Sequence, residues 1–237
     1  KKISNDLGIP IVFIKRDLSG LISPKIDLTV AILSLQTQAS NVVGFIDHGA
    51  TNTVVLGAHH DHLGHGENGG SRAETTGEIH NGADDNASGV AGMLEIAKII
   101  LDNPKSFSNN NYLFIAFTAE ELGLVGSKYF VAHPTVPLNR INYMINLDMI
   151  GKLDSTKKTL VINGVGTSPA WKTALEEADR NAKKIAAIKT TESGIGSSDH
   201  TAFYLADIPA VHFFTGQHEH YHKPSDDTDI VNFNGTA

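Results

Sequence analysis

Short apolar runs recur along the chain, and the spacing of their hydrophobic positions switches between a strand period and a helix period. Ile9–Ile14 and Leu28–Leu35 predict strands. Asn41–Ile46 and Thr53–Gly57 predict two more, separated by the turn-like Asp47-His48-Gly49-Ala50. Val54-Val55-Leu56 is continuously apolar, the pattern of a strand buried on both faces. From Gly64 to Gly82 the chain is rich in Gly, Glu, Asn and Thr and predicts a long surface loop, a kind of segment that often carries function. Ser88 is placed to cap a helix whose apolar residues Val90, Met93, Leu94, Ala97, Ile100 and Leu101 keep helical spacing, with Pro104 beyond its end. Tyr112–Phe117 predicts a strand and Ser127–His133 a helix. Ile141–Leu147 predicts a strand ending at Asp148, and Thr159–Asn163 another. Ser168-Pro169 opens an amphipathic helix to about Lys184. Ser198–Leu205 predicts a short helix and Ala210–Phe214 a final buried strand.

Strands alternating with helices predict a three-layer α/β sandwich. Ligands in such sheets gather at the carboxyl ends of the strands. His59, Glu120, Glu121 and Asp148 all fall at predicted strand ends and so share one rim. Residues 1–37 precede all of these groups and read as a separate N-terminal segment, with residues 38–237 as the main domain.

Composition narrows the function classes. With 41% hydrophobic and 19% charged residues over 237 positions, the chain can bury one large core or two small ones. A formal charge of −7 without a Lys/Arg run argues against nucleic acid or an anionic membrane as partner. There is no cysteine, so disulfides and thiolate metal sites are excluded. No apolar run approaches the ~20 residues of a membrane span. Lys1-Lys2-Ile3-Ser4 lacks an initiator Met, and the expectation is a trimmed chain from a secreted, periplasmic or cell-envelope protein, with the cytoplasm left open.

Five segments carry the candidate chemistry. In His59-His60-Asp61, strand alternation sends His59 and Asp61 to one side, where His59 suits a metal and Asp61 can support it; a solvated polar turn explains the pair equally well. Asp84-Asp85 precedes a helix N-terminus, which favours anions. A carboxylate there can bridge two cations, although Asp before a helix is commonly just a cap. Glu120-Glu121 follows a buried strand, and adjacent carboxylates repel unless a cation or shared proton intervenes. Asp148 is flanked by apolar residues, which favours a ligand over a solvated charge. His222 lies in a histidine-dense loop with His218, His220 and Tyr221. Imidazole and carboxylate donors without thiolates suit zinc, with Co or Mn as possible substitutes. Ser197 or Ser198 as a nucleophile ranks low, because neither stands in a Gly-x-Ser-x-Gly elbow.

Together, His59-x-Asp61, Gly82-Ala83-Asp84-Asp85, Glu120-Glu121-Leu122-Gly123, Asn146-Leu147-Asp148 and His222 resemble the M28 zinc metallopeptidases, the aminopeptidase group, over roughly residues 40–232. Ser198-Asp199-His200 adds a sixth similar element. The resemblance implies a mixed, mostly parallel central sheet within the α/β/α sandwich and a pair of Zn²⁺ ions. It implies that His59 and Asp148 bind one ion, Glu121 and His222 the other, and Asp84 bridges them. Glu120 would be general base and acid, with Asp61, Asp199 and His200 in support. It further implies peptides with a free N-terminus as substrates, and it makes residues 1–37 the possible tail of a protease-associated domain. A dipeptidase, a carboxypeptidase, a single-zinc glutaminyl cyclase or a non-catalytic binding domain are the alternatives. Some members carry a Tyr shortly before Ser-Asp-His that helps hold the oxyanion; this chain has Gly194-Ile195-Gly196-Ser197 there. Residues near Ile195, Phe203, Phe213 and Phe214 are the expected lining of a substrate pocket.

Overall fold

The computed structural model describes residues 37–181 and 187–236. The chain divides into Lys1–Thr37 and Gln38–Ala237, and the fold that follows is that of the second unit. The strands expected at Ile9–Ile14 and Leu28–Leu35, and the end of the helix expected to reach Lys184, lie outside the described residues.

The strands are β1 (Val42–Ile46), β2 (Thr53–His59), β3 (Asn111–Phe117), β4 (Ile141–Leu147), β5 (Thr159–Asn163), β6 (Ala187–Thr191) and β7 (Ala210–Phe214). The helices are α1 (Gly89–Asp102), α2 (Pro104–Phe107), α3 (Val125–Ala132), α4 (Ala170–Asn181), α5 (His200–Tyr204) and α6 (Phe233–Thr236). One 7-stranded sheet runs in the order β1-β3-β2-β4-β7-β5-β6. β3, β2, β4 and β7 are mutually parallel, β5 and β6 pair in parallel, and β1 and β5 join their neighbours antiparallel. The sheet is thus mixed and mostly parallel.

Every residue of β2 is buried, as its unbroken apolar run requires. The strand also runs two residues past the expected end, through Gly57 paired with Ile115 and Asn146, to His59 opposite Phe117. Gly57 is needed there: a Cβ would sit 2.5 Å from the Phe117 ring and 2.7 Å from Met144. On one face, Val54, Leu56 and Phe114 pack with Met93 and Ile100 of α1, and Ile162 and Val211 pack with Trp171 of α4. On the other, Val55, Ile115 and Met144 pack with Phe130 of α3 and Phe203 of α5. That makes three layers, α/β/α. Burying these strands on both faces is the main stabilising term, about 25 cal/mol per Å² of apolar surface removed from water.

Two local expectations change. β6 is an added edge strand; Ala-Ile-Lys-Thr-Thr is largely exposed and carries no apolar run to announce it. Ser88 does not cap α1. Its hydroxyl donates to the Asp84 carbonyl at 2.7 Å, while the Asn86 side chain accepts the Gly89 N–H at 3.0 Å. Among the described residues no helix is long and apolar enough to cross a membrane.

Candidate metal centre

Parallel strands end together, so β2, β3, β4 and β7 deliver their following residues to one rim. His59 is the last residue of β2, Asp148 follows β4, and Glu120-Glu121 follow β3 in a turn entered through Ala119 at φ 52°. Met149 (φ 52°) and His222 (φ 59°) also take left-handed backbone. Such conformations cost non-glycine residues about 1–3 kcal/mol and are kept where surrounding structure dictates them.

His59 Nε2 lies 3.2 Å from Asp85 Oδ1 and 3.4 Å from Asp148 Oδ1. His222 Nε2 lies 3.3 Å from Asp85 Oδ2 and 3.3 Å from Glu121 Oε2. Asp85 therefore presents one oxygen to each imidazole. Asp84, the expected bridge, points elsewhere, and this corrects the sequence-based assignment. Its Oδ1 accepts the Gly151 N–H at 2.7 Å and the Ser88 hydroxyl at 3.0 Å, and its Oδ2 meets His218 Nε2 at 3.0 Å. The cause lies in the irregular turn Ala83–Ser88, where Asp85 (φ −107°, ψ 87°) and Asn86 (φ −136°, ψ 39°) leave helical geometry. That break decides which carboxylate faces the rim.

Supporting contacts fix each group. His59 Nδ1 meets the Asp61 carbonyl at 3.0 Å, whereas the Asp61 carboxylate is 3.8 Å away. That carboxylate instead accepts the N–H groups of Glu120 and Glu121, at 3.0 and 3.3 Å. Asp61 thus orients His59 through its backbone and the glutamate pair through its side chain. The Ser198 hydroxyl donates to Asp148 Oδ2 at 2.6 Å. Asp199 and His200 are fully buried behind it, and neither is hydrogen-bonded to a candidate ligand. The His200 ring stacks on His212 at 5.0 Å.

Asp226 is a contributor that sequence reasoning missed. Fully buried, it accepts the N–H groups of Asp84 and Asp85, both at 3.0 Å, and so holds the turn that carries Asp85. Tyr221 was also missed; its ring stacks on His222 at 3.8 Å and lines the cavity. Its adjacency to His222 was the available signal. Of the stretches expected to line a pocket, Phe214 does so itself, Ser197 and His212 do so beside Ile195 and Phe213, and Phe203 is wholly core.

Charge here is strongly perturbed. Burial pushes Glu120 up to about 9, against the pull of His59. Burial also opposes ionisation of Glu121, but the neighbouring His222 and His62 rings prevail and hold it down at about 2. Burial works against the His222 cation too, and Asp85 and Glu121 overcome it, raising that ring to about 10. Burial raises Asp199 to about 7, drives His200 down to about 3, and pushes the Tyr221 phenol up to about 12.

The donor set fits divalent cations. A charge-assisted imidazole–carboxylate hydrogen bond is about 2.7–2.9 Å long. Ligand atoms about 2.0–2.1 Å from a tetrahedral ion stand about 3.3 Å apart. The four contacts converging on Asp85, Asp148 and Glu121 measure 3.2–3.4 Å, ligand spacing rather than hydrogen-bond spacing. His59, Asp85 and Asp148 form one group able to hold an ion. Around Asp85 and Glu121 a second group forms in which either His62 or His222 can supply the imidazole. His222 is the better placed, equidistant from both carboxylates, whereas His62 Nδ1 is 4.0 Å from Asp85.

Known proteins resemble this arrangement in sequence and in fold. Aminopeptidase YwaD of Bacillus subtilis is 31% identical over 242 residues, covering 96% of this chain and 48% of that protein. A probable leucine aminopeptidase 2 of Arthroderma benhamiae is 32% identical over 212 residues, covering 85% and 39%. The chain thus spans half or less of these relatives' length. The structure of BSAP, a zinc aminopeptidase from Bacillus subtilis, superposes with a TM-score of 0.63 at 27% identity, over 83% of this chain and 46% of that one. A Bacteroides thetaiotaomicron glutaminyl cyclase shares the fold, with a TM-score of 0.67 at 22% identity over 83% of this chain and 72% of that one. The family model described as Peptidase family M28 matches residues 41–237, which take in every donor of the centre, and the chain belongs to that family.

Proposed function

We propose that this domain is a di-zinc aminopeptidase. In this reading His59 and Asp148 hold one ion, Glu121 and His222 the other, and Asp85 bridges both. The observation that carries it is the 3.2–3.4 Å spacing of two imidazoles about the two oxygens of Asp85. Two cations held by these residues would supply Lewis acidity to a scissile carbonyl and acidify a water molecule.

The chain's own residues do the rest. Glu120 lines the cavity; cations bound beside it would favour its ionised form against the effect of burial, and that carboxylate could then take a proton from water and return it to the leaving amine. Asp61 fixes the turn that presents it. The Tyr221 phenol, lining the same cavity, is the candidate donor to the developing oxyanion, in place of the Tyr absent before Ser198.

The cavity supports an exopeptidase reading. Its volume of about 140 Å³ is far below that of a pocket enclosing a drug-sized ligand. A cavity of that size suits the tip of a chain. Two complete donor groups disfavour a single-zinc cyclase, and the presence of Glu120 disfavours a non-catalytic binding domain. Metal stoichiometry measured together with hydrolysis of free-amino and N-acetylated peptides tests the assignment. The expected result is two ions per chain with cleavage of free-amino peptides only; cleavage by metal-free protein refutes it.

A further inference from the structure

We infer that His62 is a positioning residue: its Nδ1–H holds Glu121 Oε1, so that Glu121 offers only Oε2 to the second cation. The inference rests on the di-zinc reading and adds a residue to it. His62 Nδ1 lies 2.8 Å from Glu121 Oε1. That is a charge-assisted hydrogen-bond length, unlike the 3.3 Å at which His222 faces Oε2 of the same carboxylate. One carboxylate therefore has its two oxygens in different employment. A carboxylate oxygen only accepts, so the proton in this contact sits on Nδ1, and a protonated nitrogen cannot ligate a metal. The other ring nitrogen, Nε2, is buried without a hydrogen-bond partner, and it is Nδ1 that approaches Glu121 and Asp85, at 2.8 and 4.0 Å.

The ring is also caged. Its side chain is 10% exposed. Gly82, at φ 64°, has no Cβ, and one placed there would come within 2.8 Å of His62 Cγ and Cδ2. The His222 ring stands edge-on at 5.8 Å and His80 at 6.4 Å. A side chain held this way fixes the orientation of Glu121 before a cation arrives, and partners of metal ligands typically contribute about 10–100-fold in affinity.

Stepwise zinc titration of the apo-protein against a chromogenic chelator tests this without an activity readout. His62→Ala is expected to weaken the second binding step about 10–100-fold and leave the first step, which also reports an intact fold, unchanged. His62→Asn places an amide N–H near the position of Nδ1 but provides no imidazole, and it is expected to restore the second step to within about threefold of wild type. Equal second-step affinity in wild type and His62→Ala overturns the inference alone. So does an Asn variant as weak as Ala, which would make His62 a ligand. Wild-type protein that takes up fewer than two ions overturns the dinuclear reading and this inference with it.

Discussion

The two donor groups share Asp85 but are built differently. His59 and Asp148 stand at the ends of β2 and β4, hydrogen-bonded neighbours inside the sheet, and His59 is 1% exposed. Their partners, the Asp61 carbonyl and the Ser198 hydroxyl, are also fixed by strand-end and helix-start geometry. His222 comes from a loop, and its Nδ1 is held at 2.9 Å by the Gly70 carbonyl of another loop, the long one between β2 and α1. The first group inherits the stiffness of a sheet; the second requires two loops to dock. Preorganised ligands lose less conformational freedom on binding, so the first group should hold its ion more tightly.

Six substitutions break or sharpen that contrast. Asp85→Ala should empty both positions and abolish turnover, while its neighbour Asp84→Ala keeps both ions. Elemental analysis reads the difference, and Asp84→Ala should instead lose about 1–3 kcal/mol in urea unfolding, because the Gly151 N–H loses a buried acceptor. Glu120→Gln should retain both ions and lower kcat about 10²–10⁴-fold in steady-state kinetics; near-normal kcat would remove it from proton transfer. His222→Ala should leave about one tightly held ion per chain, whereas His59→Ala should weaken the remaining site as well. If the two variants lose metal identically, the stiffness argument fails. Ser198→Ala is the mildest: the tight step should weaken about 10-fold in the chelator titration, with the second step untouched.

What was legible beforehand follows from the same contrast. His59, Glu120, Glu121 and Asp148 each follow an apolar strand, and a strand announces both its end and its rim. The three layers were legible for that reason too. Asp84 and Asp85 sit in a turn without periodicity, where the backbone break at Asp85 and Asn86 alone decides which side chain faces inward. No pattern of residue types encodes that choice. Asp226 was invisible for a related reason: its partners are backbone N–H groups, which leave no trace in the identity of the residues that carry them. β6 was missed because an exposed edge strand needs no apolar run.

The grip of Asp226 on the Asp85 turn spans 141 residues of chain. On the ribosome, the segment bearing Asp85 emerges long before its clamp is translated. Until residue 226 is made and docked, the Asp85 carboxylate lacks the contact that sets its direction.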